Sequence, residues 1–187
     1  DGVVHRPMLV TMLHGRTDAD AALLIDAAVA SEGLGAGDGE LLLMDGADPA
    51  RGALDGEHDA VVTELAALGA TARRVPFDPD LTGLTLAAFF TGTASLGATI
   101  EGNAFAPGAI VDNLTSFGAV PENFRETGES QVSIARWVAR GVTGAHGTTD
   151  EPLNNCFPSR HLLTDYVAGA TLAEAYLGRM PFVYWHN

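Results

Sequence analysis

Short runs of apolar residues alternate along the chain with longer segments whose apolar residues recur at helical spacing. Uninterrupted apolar runs are typical of strands that are buried on both faces of a sheet. On this basis we predict strands at residues 8–13, 40–45, 71–76 and 84–92, within 108–118, and at 142–147 and 181–185. We expect residues 97–108 to be an irregular insertion.

The segments between the strands carry the start and stop signals of helices. The first helix is capped by Thr17 or Asp18 and ends at Gly33, and its repeating apolar positions are Ala21, Leu24, Ile25, Ala28 and Val29. Further helices are predicted, in chain order, at residues 57–68, 130–141, 159–169 and 171–179.

The alternation of strand and helix predicts the class of fold. It is typical of an α/β protein in which helices cover both faces of a mainly parallel sheet, that is, a three-layer αβα sandwich. We assign residues 1–187 to a single α/β domain, and we leave open that it is part of a longer chain. In such sheets ligands bind at the carboxyl ends of the strands. These ends are expected after Leu13, Met44, Phe90, Leu114 and Ala145.

Composition narrows the range of functions. The chain carries 24 Asp and Glu residues against 10 basic residues, all of them arginine, for a net charge of −14. A domain this acidic repels phosphate backbones, so we expect no nucleic-acid partner. No apolar run is long enough to span a bilayer. The single cysteine, Cys156, excludes an internal disulfide and a multi-cysteine zinc site.

Hydroxyl and imidazole groups follow several of the predicted strands. His14 follows the first strand, Thr93 the fourth, and Thr115 and Ser116 the fifth. An imidazole can act as a base and a hydroxyl as a nucleophile when the two lie within hydrogen-bonding reach. The sequence has neither the G-x-S-x-G elbow of serine hydrolases nor a glycine motif for phosphate. For His14 we favour a turn that leads into the first helix cap.

Two acidic loops offer ligands for a cation. Residues 45–59 contain possible calcium ligands, although their spacing differs from that of an EF-hand loop; they are Asp45, Asp48, Asp55, Glu57, His58 and Asp59. After the sixth strand, His146, Asp150 and Glu151 are candidate ligands for a hard or borderline metal ion. We favour a solvated turn in the first loop and a structural tie from Glu151 in the second. We therefore predict no metal and no cofactor.

Three segments of the C-terminal half contain distinctive sequence motifs: FAPGAIVDNLTSFG at 105–118, SIARWVARGVTGAHGTTDEP at 133–152 and YVAGATLAEAYL at 166–177. They resemble the C-terminal half of a family of secreted bacterial proteins with no established activity, and residues 9–33 resemble the preceding strand and helix of that family. The E-P and T-L-A-E-A-Y motifs are the most specific parts of this resemblance, which covers nearly the whole chain.

That family is distantly similar to gingipain and caspase-type cysteine peptidases, which implies a caspase/gingipain-like sandwich. In those peptidases a histidine follows one central strand and the nucleophilic cysteine follows the next. By this resemblance Thr93 stands where the histidine would be, and Thr115 or Ser116 where the cysteine would be. A threonine hydroxyl does not titrate near pH 7, so Thr93 cannot replace the imidazole as a base.

We therefore predict a non-catalytic caspase/gingipain-like domain of a secreted, periplasmic or envelope protein, which acts in binding or assembly with a protein partner. The alternative is a hydrolase, peptidase-like or metal-assisted, with its site at the carboxyl ends of the strands. Its candidate residues are His14, Thr93, Ser116, His146, Asp150 and Glu151. Cys156 lies in a predicted loop without strand context, so we do not expect it to act as a nucleophile with His146 or His161.

Overall fold

The computed structural model describes residues 10–34, 37–125, 127–128 and 130–181. At its centre is a five-stranded sheet in which all neighbouring strands are parallel. In sheet order the strands are β2 (Ala72–Val75), β1 (Glu40–Met44), β3 (Thr85–Thr91), β4 (Ala104–Asn113) and β5 (Gly144–His146). The prediction of a mainly parallel sheet is confirmed.

Helices cover both faces of this sheet. In chain order they are α1 (Asp18–Ala30), α2 (His58–Ala67), α3 (Ile134–Val138), α4 (Leu162–Val167) and α5 (Leu172–Arg179). Helices α2, α4 and α5 share one apolar cluster with the sheet. Helix α3 packs on the opposite face, where α1 contacts β4 and α3. The αβα layering is thus as predicted. Among the described residues, none of the helices has the length and apolar character that a membrane span requires.

The side chains of each strand alternate between the two faces of the sheet. In β1, Leu41 and Leu43 pack toward α2, whereas Leu42 and Met44 pack toward α3, and all four are buried. Residues 86–90 of the central strand β3 are completely buried. This two-sided burial explains why the strands appear in the sequence as uninterrupted apolar runs.

Several predicted boundaries differ from those observed. Residues 10–13 of the predicted first strand do not belong to the sheet, and an apolar run forms a strand only where a neighbour completes its hydrogen bonds. Residues 8–9 of that strand and residues 182–185 of the predicted last strand lie outside the described residues. Strand β4 begins at Ala104, inside the predicted insertion, and α3 begins only at Ile134, where the Ser133 side chain caps it.

Helix α1 begins as predicted but does not bury the predicted face. Thr17 Oγ1 accepts a hydrogen bond from Asp20 N, and the Asp20 carboxylate accepts one from Thr17 N, which completes a capping box. Within α1 only Leu24 is buried, whereas Ile25 is 51% and Val29 is 68% exposed. Because α1 carries apolar residues around most of its circumference, helical spacing alone did not identify its buried side.

The loop after β1 lies tightly against the end of β3. Ala47 N–H donates to Gly92 O at 2.8 Å, and a Cβ added at Gly92 would lie 2.0 Å from Arg51 O. We predict that Gly92→Ala lowers the free energy of unfolding by about 1–3 kcal/mol, because the loop backbone must move. Gly56→Ala is the matched control, since a Cβ there meets nothing within 4 Å. Urea denaturation measures both variants, and wild-type stability of Gly92→Ala would contradict this packing.

Candidate functional site

The carboxyl ends of the strands form the edge at which doubly wound sheets place their ligand sites. Strands β2 and β3 lie on opposite sides of β1, so the topological switch point falls between β1 and β3. Asp45 directly follows β1, and Thr91 ends β3. Asp112 of β4 and His146 of β5 are partners in the sheet register at the same edge. Polar side chains therefore gather where the topology favours a site.

Asp112 is the charged centre of this edge. Its side chain is fully buried, and one carboxylate oxygen accepts a hydrogen bond from Arg160 Nη1, while the other lies 2.9 Å from His146 Nδ1. Arg160 is also fully buried, donates from Nη2 to the Thr91 carbonyl at 2.6 Å, and lies 5.7 Å from the centre of the Phe90 ring. This buried ionic cluster (Asp112, His146 and Arg160) joins the ends of β3, β4 and β5 to the segment before α4.

Burial and charge act on Asp112 in opposite directions. Burial alone raises the pKa of Asp112, but the positive charge of Arg160 and the contact with His146 outweigh it and hold the pKa below its ordinary value of 3.8. Asp112 is therefore ionised at neutral pH. Burial also raises the pKa of the nearby Tyr176 well above its ordinary value, so its hydroxyl stays protonated and donates to Val111 O at 2.7 Å.

Glu57 anchors the segment that carries Arg160. Its Oε2 atom accepts hydrogen bonds from Arg160 N at 2.7 Å and from Ser159 Oγ at 2.8 Å. The sequence predicted a helix that begins at Ser159, but α4 begins at Leu162, and Ser159 Oγ accepts a bond from His161 N in the preceding turn. A carboxylate just before α2 thus fixes the position of the buried arginine.

Thr93, which the resemblance aligns with a catalytic histidine, is bound on several sides in the loop after β3. Its Oγ1 donates to Ser95 O at 2.8 Å. Its backbone N–H and carbonyl bond the side-chain amide of Asn113 at 2.9 Å and 3.0 Å. The Thr93 hydroxyl therefore shapes the turn, and Asn113 extends the contact between β3 and β4 beyond the strands.

Thr115 and Ser116 follow β4, as predicted, and have different partners. Thr115 is buried and its hydroxyl bonds the Gln131 side chain, whereas Ser116 Oγ lies 3.4 Å from Glu151 Oε1. The next residue, Phe117, has a φ of +57°, in the left-handed region that residues other than glycine rarely adopt. Of the predicted site residues, the structure therefore brings Ser116 and Glu151 together.

His14, His146 and Cys156 do not share one open pocket. His14 is exposed and its ring lies 5.0 Å from that of Phe124. His146, a candidate residue of the hydrolase alternative, is only 3% exposed, because its ring lies between Asp112 and neighbouring aromatic rings. Cys156 is partly buried, and its Sγ lies 3.8 Å from Asn155 Oδ1.

The candidate metal ligands of the last acidic loop are not assembled either. Asp150 and Glu151 are exposed, while His146 is buried beside Asp112. Among the described residues, one group of three metal-ligating side chains lies within mutual reach, and it comes from the first acidic loop: Asp45, Asp55 and His58. His146, Asp150 and Glu151 therefore do not form such a group.

The ion pair between Asp112 and Arg160 was not predicted from the sequence. Asp112 carried a usable signal, because a carboxylate inside an apolar strand must find a partner when it is buried. The sequence around Arg160 does not indicate a buried ion pair, since Arg160 follows the predicted start of a helix at Ser159 and lies 48 residues from Asp112. Long-range partners of this kind are created by the fold rather than by local spacing.

Comparisons with protein-family models, with curated proteins and with solved structures found no match to this chain. The fold and the edge themselves define a doubly wound parallel α/β protein with a buried ionic cluster at the carboxyl ends of its strands. Similarity to caspase and gingipain peptidases stays a prediction.

Removal of Arg160 tests the buried ionic cluster. Arg160→Met leaves Asp112 as a buried charge without its cation, so we predict a loss of about 3–5 kcal/mol in the free energy of unfolding at pH 7. In the variant, burial of Asp112 is no longer outweighed, so its pKa rises above the unfolded value. The loss therefore shrinks as the pH falls and Asp112 takes up a proton. Urea denaturation at several pH values measures this trend.

Arg179→Met is the matched control for this experiment. Arg179 pairs with Asp165 at the surface, where the Arg179 side chain is 39% exposed and the Asp165 side chain is 33% exposed. We therefore expect a loss below about 1 kcal/mol in the free energy of unfolding. A similar small loss in both variants would contradict the assigned role of Arg160. So would an Arg160→Met deficit that grows as the pH falls.

Proposed function

We propose that this chain is a non-catalytic, caspase/gingipain-like α/β domain of a secreted or envelope protein, and that it binds or assembles with a protein partner. The observation that carries this proposal is a concentration of exposed apolar side chains in residues 10–34. A second observation supports the proposal: the polar side chains at the strand ends form hydrogen bonds that hold loops in place.

The apolar face is the set of exposed large hydrophobic residues of this segment: Val10, Met12, Leu13, Leu23, Ile25, Val29 and Leu34. In the rest of the described chain, the exposed large hydrophobic residues are Leu68 and Leu153. Single exposed apolar residues are ordinary, whereas a contiguous apolar patch marks a surface that binds other proteins. Residues 10–34 hold seven of the nine exposed large hydrophobic residues of the described chain. The apolar face is therefore the best candidate for an interaction surface.

The charges around the apolar face favour a particular kind of partner. On α1, Ile25 and Val29 are four residues apart and lie on the same side of the helix. Asp18 and Asp26 are exposed on the same helix, whose last turn has no basic residue. Since opposite charges border well-matched interfaces, we infer a partner whose apolar surface is flanked by lysine or arginine.

The polar groups at the strand ends support the non-catalytic part of the proposal. Thr93 Oγ1 bonds a backbone carbonyl of its own loop, and the Thr115 hydroxyl bonds Gln131. His146 is buried and bonded to the carboxylate of Asp112. A nucleophile needs a neighbouring base and access to substrate, whereas these groups are buried in structural contacts.

A hydrolase is the second candidate function, and one observation favours it. The pair formed by Ser116 and Glu151 lies beside Phe117, whose left-handed backbone is the kind of strain that clusters at functional sites. Both side chains of the pair are reachable from solvent. A serine with a carboxylate as its base would define this second function.

Hydrolysis of a fluorogenic peptide library separates the two candidates. We predict no turnover above the buffer rate by the wild-type protein, because the groups at the strand ends serve structure. Turnover that disappears in Ser116→Ala and in Glu151→Gln, but survives in Ser95→Ala, would establish the hydrolase and contradict the proposal. Ser95 is an exposed hydroxyl in the loop after β3 and serves as the matched control.

Designed peptides test the apolar face. We predict that a helical peptide with an apolar stripe flanked by lysines binds the wild-type protein, and that the same peptide with glutamates binds at least tenfold more weakly. Ile25→Glu/Val29→Glu should abolish binding by placing charge in the contact. Fluorescence anisotropy measures binding, and sedimentation velocity shows whether a second copy of the chain competes for the surface.

Leu153→Glu is the control for the double variant, because Leu153 is 76% exposed and lies outside the apolar face. Binding of the lysine peptide should be unchanged in this control. If the double variant binds as the wild type does, the apolar face is not the interaction surface. If it unfolds, these side chains belong to a core, which contradicts the proposal equally.

A further inference from the structure

A second group of polar side chains lies at the switch point of the sheet, within electrostatic reach of Arg160 of the buried ionic cluster. Asp45 follows β1, Asp55 begins a short 3₁₀ helix, and His58 begins α2. One ligand atom from each of the three lies within 4.8 Å of the others. Side chains far apart in the loop thus converge at the position where doubly wound sheets bind ligands.

Two atoms of this group are buried without a hydrogen-bond partner among the described residues. They are His58 Nε2 and Asp55 Oδ1, which lie 4.0 Å apart. His58 is completely buried. Asp45 Oδ1 lies 3.2 Å from His58 Nδ1, and an ionised carboxylate only accepts, so Nδ1 carries the proton and Nε2 presents a lone pair. Two acceptors therefore face each other in a buried space.

The surrounding contacts hold both acceptors in place. Gly46 N donates to Asp55 Oδ2 at 2.9 Å, which orients the free oxygen toward the imidazole. Arg74 Nε donates to Asp45 Oδ1 at 2.8 Å and holds that oxygen beside His58 Nδ1. A histidine held by a carboxylate through one nitrogen is the usual arrangement of a metal-bound imidazole.

We propose that His58 Nε2 and Asp55 Oδ1 bind a divalent transition-metal ion of the zinc class, with Asp45 as the residue that orients the imidazole. For bonds of about 2.0–2.2 Å, two ligands of a tetrahedral zinc ion lie roughly 3.4 Å apart, so a side-chain movement of about half an ångström closes the site. Water completes the coordination. An imidazole ligand favours zinc or cobalt over calcium, which takes oxygen ligands.

Calorimetry with zinc chloride, supported by cobalt absorption spectra, tests this site. The expected result is one equivalent of bound zinc, a tetrahedral cobalt spectrum, and a shift of the His58 Nε2 resonance on zinc addition. Asp55→Asn and His58→Gln should abolish this binding. Asp45→Asn should weaken it by about 10–100-fold, as expected of a residue that orients a ligand.

Asp59→Asn is the matched control, since it removes the charge of a mostly exposed carboxylate next to His58 while its amide oxygen can still accept from Arg74. Zinc affinity should stay within twofold. Asp55→Asn also tests the site if His58→Gln does not fold, because an amide can still accept from Gly46 and can donate to His58. Undiminished zinc binding by Asp55→Asn would overturn the proposal. Tighter binding of calcium than of zinc would also overturn it. An unshifted His58 resonance would overturn it as well, because the space between His58 and Asp55 would then hold a water molecule or a proton.

Discussion

The buried ion pair between Asp112 and Arg160 is the constraint on which the functional edge of this protein depends. Asp112 lies on a central strand, and Arg160 comes from the segment that leads into α4. Neither charge can stay buried alone, because the desolvation of an unpaired ion costs several kcal/mol. The pair therefore fixes the chain after β5 against the sheet, and Glu57 fixes the same segment from the opposite side.

This constraint decides which polar groups at the edge are available for chemistry. His146 ends β5, but it bonds the ionised Asp112 and is almost completely buried. The hydroxyls of Thr93 and Thr115 bond groups in the loops near the ends of β3 and β4. What the fold leaves exposed lies elsewhere: the apolar face of residues 10–34 and the pair of Ser116 and Glu151. Binding through the apolar face agrees best with this distribution.

The layers of the fold could be predicted because strands buried on both faces must be apolar throughout. The first helix shows the limit of the same reasoning, since Thr17 marked its start correctly while Ile25 and Val29 are exposed. The predicted strand at residues 10–13 was wrong for a related reason. Apolar character shows that burial is favourable, but it does not show that a neighbouring strand exists. For the acidic loop at 45–59 a solvated turn was favoured over a calcium site. Only the folded chain shows that Asp45, Asp55 and His58 lie within reach of one another.

The ionisation of Asp112 is the most direct test of this account. Carbon-13 NMR of the Asp112 carboxyl group between pH 7 and pH 2.5 follows that single group. The account predicts a titration midpoint below the ordinary value of 3.8, with stability that is complete above that pH and lost as the pH falls through the midpoint. A midpoint at or above the ordinary value would show that Arg160 does not compensate the buried carboxylate, and would contradict the account of the edge.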